Sequence, residues 1–306
     1  MRRDPSESVR PLPSRRFIPS SEPVGPPAVV DQGGIVPSVY AIPLSGPDWR
    51  AVRPWQMHAE LSRLLGHATN DWSLRLLPEA AGPRAGLGVP AISLEVSVLS
   101  VALERALPVA LAAGTELRLT DGTTTQTATV TGEPTVVTQA SWPELAIPFP
   151  AGPATSWEVT FHTPAAVSQG EHNFPLLSGD ALLLSLLKRW QSLTDVRDGD
   201  LEPGGGPVPV PNLFELASRH WGRDARANLR IVDLRGHTET VFIPRRHGLQ
   251  TIREVVPGFV GVVRLLALDP TVAALTDCLL RFGEFSGVGV GVRYGLGSLS
   301  VRPVWR

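Results

Sequence analysis

Towards its C-terminal end the chain reads GEFSGVGVGVRYGLGSL, with glycine at 283, 287, 289, 291, 295 and 297. No ordinary core strand survives that pattern, because glycine at 287, 289 and 291 leaves one face of the strand without side chains to pack. Glycine also reaches positive φ and lets main chain come close to a neighbour. The segment is therefore predicted as a glycine-laced β-segment or loop whose main-chain N–H groups meet phosphates. A purely structural glycine-rich bulge is the rival reading. A dinucleotide fingerprint does not fit, since Gly287-Val288-Gly289 follows a helical pattern and opens no helix.

The preceding segments alternate between the periods of strand and helix. Ile35 to Leu44 reads as a strand, and Pro54 to Leu65 as a helix with Trp55, Leu61, Leu64 and Leu65 at helical spacing, stopped by Gly66. Trp72 to Leu77 and Ile92 to Val98 read as strands, Val101 to Leu111 as a short helix broken by Pro108, and three Thr-rich stretches between 115 and 138 as β-structure. A cluster of Pro148, Pro150, Gly152 and Pro153 then punctuates the chain. Beyond it, Trp157 to Thr163 is strand-like and Asp180 to Leu193 an amphipathic helix. Leu229 to Leu234 and Thr238 to Ile243 read as strands around Arg235-Gly236-His237, followed by a strand at Phe259 to Leu266 and a helix at Thr271 to Phe285. The order β-α-β-β-α-β fits the second half, and the first can be threaded on the same plan. This predicts an α+β protein of two tandem ferredoxin-like (RRM-like) domains with a C-terminal glycine-rich loop. The expected divisions are a disordered Pro/Arg-rich arm over 1–33, an N-terminal domain over 34–150 and a C-terminal domain over 151–306.

A single cysteine, Cys278, excludes an internal disulfide and a cysteine-rich zinc site, and no apolar run approaches the length of a membrane span. No signal peptide is recognisable, so a cytoplasmic location is expected. The net charge of −1 conceals an asymmetry: residues 1–211 carry 15 basic and 21 acidic side chains, residues 212–306 carry 13 and 8. Arg219, Arg223, Arg226, Arg230, Arg235, Arg245 and Arg246 crowd one stretch of the basic part, a candidate phosphate-binding surface or a solvated face. Histidines form no H-x-H or H-E-x-x-H pattern, so no metal or other cofactor is expected, and the chain lacks the G-x-S-x-G of a serine hydrolase.

Gly258 to Val263, a helix, Phe285 to Gly289 and then Gly295-Leu296-Gly297 together resemble the C-terminal signature of the Cas6 family of CRISPR repeat-processing endoribonucleases. Upstream, Phe161 to Val167, Phe174-Pro175 and Leu183 to Trp190 resemble that family's conserved strand and LLxRW helix. The pattern departs at Gly291 and Val292, where the family has a basic residue and Thr or Ser; Arg293 follows two residues later. The resemblance implies metal-independent cleavage of precursor CRISPR RNA, leaving a 2′,3′-cyclic phosphate and a 5′-hydroxyl. Its implied partners are CRISPR repeat RNA and other Cas proteins of an effector complex.

By that resemblance the acting histidine closes the first helix before a strand, and Leu64-Leu65-Gly66-His67 is the match. His67 is the first catalytic candidate, His58 the second, and Tyr40 a residue that orients the phosphate, with core packing as its rival role. His162 reads as packed or structural. The lysine some members use is absent, Lys188 being the only one, so Arg63 or Arg75 stands nearest to supply a cation. Expected RNA contacts are the arginines from Arg219 to Arg246 together with Gly287, Gly289, Gly291, Arg293, Gly295 and Gly297. A second reading is a catalytically weak or inactive repeat-RNA-binding subunit, and a third a small-molecule enzyme with a glycine-rich nucleotide loop.

Overall fold

Two antiparallel sheets, each with helices on one face, organise the computed structural model. It describes residues 37–47, 49, 52–66, 72–78, 92–121, 123–146, 154–169, 172–175, 178–194, 228–247 and 250–305. The first sheet holds β1 (Ser38–Ser45), β2 (Trp72–Pro78), β3 (Ile92–Val98), β4 (Glu116–Thr120), β5 (Thr125–Val130) and β6 (Thr135–Gln139). Its order is β2-β3-β1-β5-β4, with β6 also pairing β1. Helices α1 (Pro54–Leu65) and α2 (Val101–Ala110) fill the two crossovers. Met57, Leu61 and Leu65 of α1 and Leu103 and Leu107 of α2 are buried against Ile42, Leu44, Leu94 and Val96 of the sheet. Each such side chain contributes roughly 1.5–3 kcal/mol of burial free energy.

Local chemistry sets the helix ends. Pro54 opens α1, the Gln56 side chain accepts the Arg53 N–H at 2.6 Å, and Gly66 ends the helix in the left-handed region at φ 67°. Ser100 caps α2. Pro108 was expected to break α2 but lies inside it, because Leu103, Leu107 and the following Leu111 hold both sides of it in the core. The short α3 (Trp142–Ala146) was not foreseen. Its signal is Ser141 and Glu144, which cap one another: the Ser141 N–H donates to Glu144 at 2.7 Å and the Glu144 N–H to Ser141 Oγ at 3.3 Å.

The second sheet runs β11-β7-β10-β9, from β7 (Ser156–Gln169), β9 (Leu229–His247), β10 (Gln250–Ala267) and β11 (Leu299–Pro303). β8 (His172–Pro175) pairs the far end of β7. With α4 (Gly179–Thr194) and α5 (Pro270–Ser286) as crossovers, this is the ferredoxin-like strand order. Trp157, Val159 and Phe161 of β7 meet Leu183, Leu186, Leu187 and Trp190 of α4 and Leu279 and Phe282 of α5 in the core. Trp142 of α3 joins them, with its ring 5.1 Å from Trp190. The expected boundary cluster at 148–153 lies outside the described residues, and α3 just before it already packs into the second core.

One expected turn is absent. Arg235-Gly236-His237 does not reverse the chain: β9 passes straight through it, and the reversal lies between His247 and Gln250. Gly236 sits opposite Gly261, and a methyl on Gly236 would stand 2.2 Å from the Val260 carbonyl oxygen. The glycine there serves close strand approach, not chain reversal.

Candidate functional site

The glycine-rich segment is a folded loop with one 3₁₀ turn, Val292–Tyr294, and no strand before β11. Its amides are used within the protein. The N–H groups of Gly287, Val288, Val290, Tyr294, Gly295, Leu296 and Gly297 donate to main-chain carbonyls, among them Ala166 and Pro164 of β7. Gly289 donates to Ser185 Oγ at 3.0 Å and Ser298 to Thr163 Oγ1 at 2.9 Å. The amides named here, which the sequence offered for phosphates, are taken up by Thr163, Pro164 and Ala166 of β7, by Ser185 of α4, by the end of α5 and by the loop itself. Gly289 carries the clearest requirement: its φ is +85°, and a methyl there would lie 2.0 Å from the Ala166 carbonyl oxygen.

The loop also meets the N-terminal domain. A methyl on Gly295 would lie 2.9 Å from the Leu74 carbonyl oxygen, and Ser73 Oγ donates to the Phe285 carbonyl at 3.2 Å. At this seam the half-buried His58 of α1 stacks on Trp72 of β2, centroids 4.9 Å apart and planes 7° from parallel. Its other neighbour is Tyr294, edge-on at 4.8 Å and 61°. The exposed Arg293 lies over the Tyr294 ring at 5.0 Å. Burial, helped by the Arg293 charge, pushes the His58 imidazole down to about 4, so it is uncharged at neutral pH.

Beside the seam is a cavity of about 460 Å³ lined by Ser73, Arg75 and Glu95 of the first sheet and His162, Ser298 and Ser300 of the second domain. Arg75 is paired with Glu95 and reaches Ser298 Oγ at 3.3 Å. His162 Nε2 is 2.9 Å from Ser300 Oγ, and its imidazole is pushed down by partial burial and then by Arg75. Sequence reasoning treated His162 as structural. What brings it to the cavity is strand pairing, since Phe161, its neighbour, pairs with Leu299 of β11.

The other candidates scatter. Tyr40 is buried in the N-terminal core, where desolvation and then Glu104 of α2 push its phenol up. Val39 lines the cavity, so the alternation of a strand directs Tyr40 to the opposite face of the sheet. Arg63 is held by Glu60 of its own helix at 2.7 Å. Arg230 and Arg235 are exposed on β9, where Arg235 reaches Asp233 at 3.1 Å and Glu158 at 3.6 Å. Arg245 and Arg246 stand opposite Ile252 and Thr251 in the ladder. His67, Arg219, Arg223 and Arg226 lie outside the described residues. Among the described residues no group of three or more His, Cys, Asp or Glu is placed to hold a metal, and no helix is long and apolar enough to cross a membrane.

Two ferredoxin-like domains joined through a C-terminal loop define a fold class, and known proteins share it with this chain. Residues 159–299 match the model of the CRISPR-associated endoribonuclease Cas6 family. A Cas6 substrate-mimic complex has a TM-score of 0.58 at 20% identity, covering 88% of this chain and 100% of its own. A Cas6 product complex gives 0.55 at 20% identity over 87% and 99%, and Thermus thermophilus Cas6 gives 0.51 at 17% over 88% and 100%. No curated protein matches by sequence. The family match covers the C-terminal part of the chain, and over both domains the fold is similar to that of the Cas6 structures.

Proposed function

We propose that this chain is an endoribonuclease that cuts precursor CRISPR RNA within its repeats, without a metal ion, leaving 2′,3′-cyclic phosphate and 5′-hydroxyl ends. The observation that carries the reading is the match of residues 159–299 to the Cas6 endoribonuclease family. In the reaction the 2′-oxygen bonds to the adjacent phosphorus and the P–O5′ bond breaks. A base takes the 2′-hydroxyl proton and an acid returns one to the 5′-oxygen. An imidazole with an ordinary value of about 6.5 performs either transfer near neutrality. Tyr40 is buried in the core and His58 packs against two rings; His67, next in the chain after Gly66 and the histidine that the Cas6 resemblance implies, is the acid–base group of this proposal.

The RNA is CRISPR repeat RNA, met by Arg293 and by the arginines of β9 and of residues 219–226 through forked contacts to phosphate. Other Cas proteins of an effector complex are the further partners. The test is incubation of the protein with repeat RNA in EDTA, resolved on a denaturing gel. One cut with a cyclic-phosphate end, abolished in His67→Ala, is expected. RNA bound tightly but left intact would make the chain a binding subunit, and absence of both binding and cleavage would sink the reading.

A further inference from the structure

The four groups Trp72, His58, Tyr294 and Arg293 form one column crossing from the N-terminal domain to the C-terminal loop. Trp72 is fully buried, and its indole N–H has no hydrogen-bond partner among the described residues, so its ring is held by packing alone. Its carbonyl is gripped from α4, where Arg189 Nη2 donates to it at 3.4 Å. At the other end the Tyr294 hydroxyl donates to the Pro244 carbonyl of β9 at 3.3 Å, beside Arg245 and Arg246.

We propose that His58 is a positioning residue for RNA cleavage: as the central ring of this column it fixes α1 and the first residue of β2 against the Val292–Tyr294 turn, without exchanging protons. The inference rests on the endoribonuclease reading above. α1 ends at Leu65 and β2 starts at Trp72, so the column anchors the two elements that flank His67 in the chain. Its outer end is the exposed Arg293, the cation a phosphate would meet first. An uncharged ring suits the middle of such a stack, since a cation there would face the Arg293 guanidinium through a single ring. Trp72 stacks on the His58 ring and the Tyr294 ring meets it edge-on, so the imidazole is wedged between α1, β2 and the C-terminal loop.

The experiment compares wild type with His58→Phe, His58→Ala, Tyr294→Leu and His67→Ala in three readouts: single-turnover cleavage of repeat RNA across pH, RNA affinity, and hydrogen exchange at the β2 amides. His58→Phe keeps a flat ring and is expected to cleave within about 3-fold of wild type, with an unchanged pH profile. His58→Ala and Tyr294→Leu are expected to slow cleavage by about 10- to 100-fold while RNA affinity changes by less than about 3-fold. Exchange at β2 is expected to rise in both and to return to wild-type protection in His58→Phe. A His58→Phe protein as inactive as His67→Ala, or lacking one limb of the pH profile, overturns the proposal by making His58 a proton carrier. So does His58→Ala cleaving at the wild-type rate, or β2 protection that ignores the ring. Wild-type protein that leaves the RNA intact refutes the nuclease reading instead, and the exchange data then decide the column separately.

Discussion

Replacing Gly289 by alanine tests whether the C-terminal loop is a packed element or an adaptable ligand cradle. Gly289 has φ +85° and Gly114, in the turn after α2, has φ +90°, so a β-carbon at either meets the same left-handed backbone cost of about 1–2 kcal/mol. The space differs. Nothing lies within 4 Å of a methyl at Gly114, whereas at Gly289 the Ala166 carbonyl oxygen would be 2.0 Å away. That oxygen accepts the Val290 N–H at 2.8 Å, so relieving the clash also strains this hydrogen bond. Overpacking of this kind costs about 1–3 kcal/mol and a weakened buried hydrogen bond about 1 more. Gly289→Ala is therefore expected to be about 2–4 kcal/mol less stable than Gly114→Ala, which lowers Tm by roughly a further 5–15 °C. Differential scanning calorimetry of the two single variants reads the difference directly. Equal Tm values, with RNA affinity lost only in Gly289→Ala, would refute the packing argument and restore the loop as a phosphate cradle.

Three other outcomes follow from buried or bonded groups. Asp277 is fully buried, accepts the Trp157 indole N–H at 3.0 Å and faces Arg281 at 3.5 Å, so Asp277→Ala should cost about 3–5 kcal/mol in urea unfolding; a loss under about 1 kcal/mol would contradict it. Hydrogen bonds from the Arg63 side chain, followed by that of the Arg118 amide, hold the Glu60 carboxyl below its ordinary value. Its contribution is complete above about pH 4.5 and disappears as pH falls through the lower folded value. Acid unfolding of Glu60→Gln should thus be less steep than wild type over that window, and superimposable curves would count against the pairing. Burial pushes the Cys278 thiol up to about 11, so a thiol reagent at pH 8 should label it only as fast as the protein unfolds, a result that immediate labelling would contradict.

The fold was largely legible because its determinants are local. Apolar spacing and Gly66 placed α1 at Pro54 to Leu65, and alternation placed β3 at Ile92 to Val98. α3 escaped because five residues are too few for a period, although the Ser141/Glu144 box was there to be read. Arg235-Gly236-His237 looked like a turn because glycine marks both reversals and close strand approach, and only the partner Gly261 decides between them. For the same reason the glycine pattern announced that something comes close to the loop without naming Ala166 and Leu74. The site was less legible. His58 read as the second catalytic candidate, since Tyr294, which packs against it, is distant in sequence. Arg235 counted as free positive charge until strand pairing set Glu158 and Asp233 beside it.

That last pairing bears on what a second copy would meet at the edge of the sheet. Among the described residues β9 is the outermost strand of its sheet, and Val232 and Leu234 on it are about half exposed, at 51% and 43%. An uncovered strand with apolar side chains invites a second copy to extend the sheet. Here Arg230, Asp233, Arg235, His237 and Glu239 are interspersed along the same edge with both signs of charge, so a neighbour arriving in most registers meets a like charge or must strip water from an ion. Engineering this strand for tighter polyanion binding by neutralising Asp233 and Glu239 would therefore remove part of its protection against sheet-to-sheet self-association.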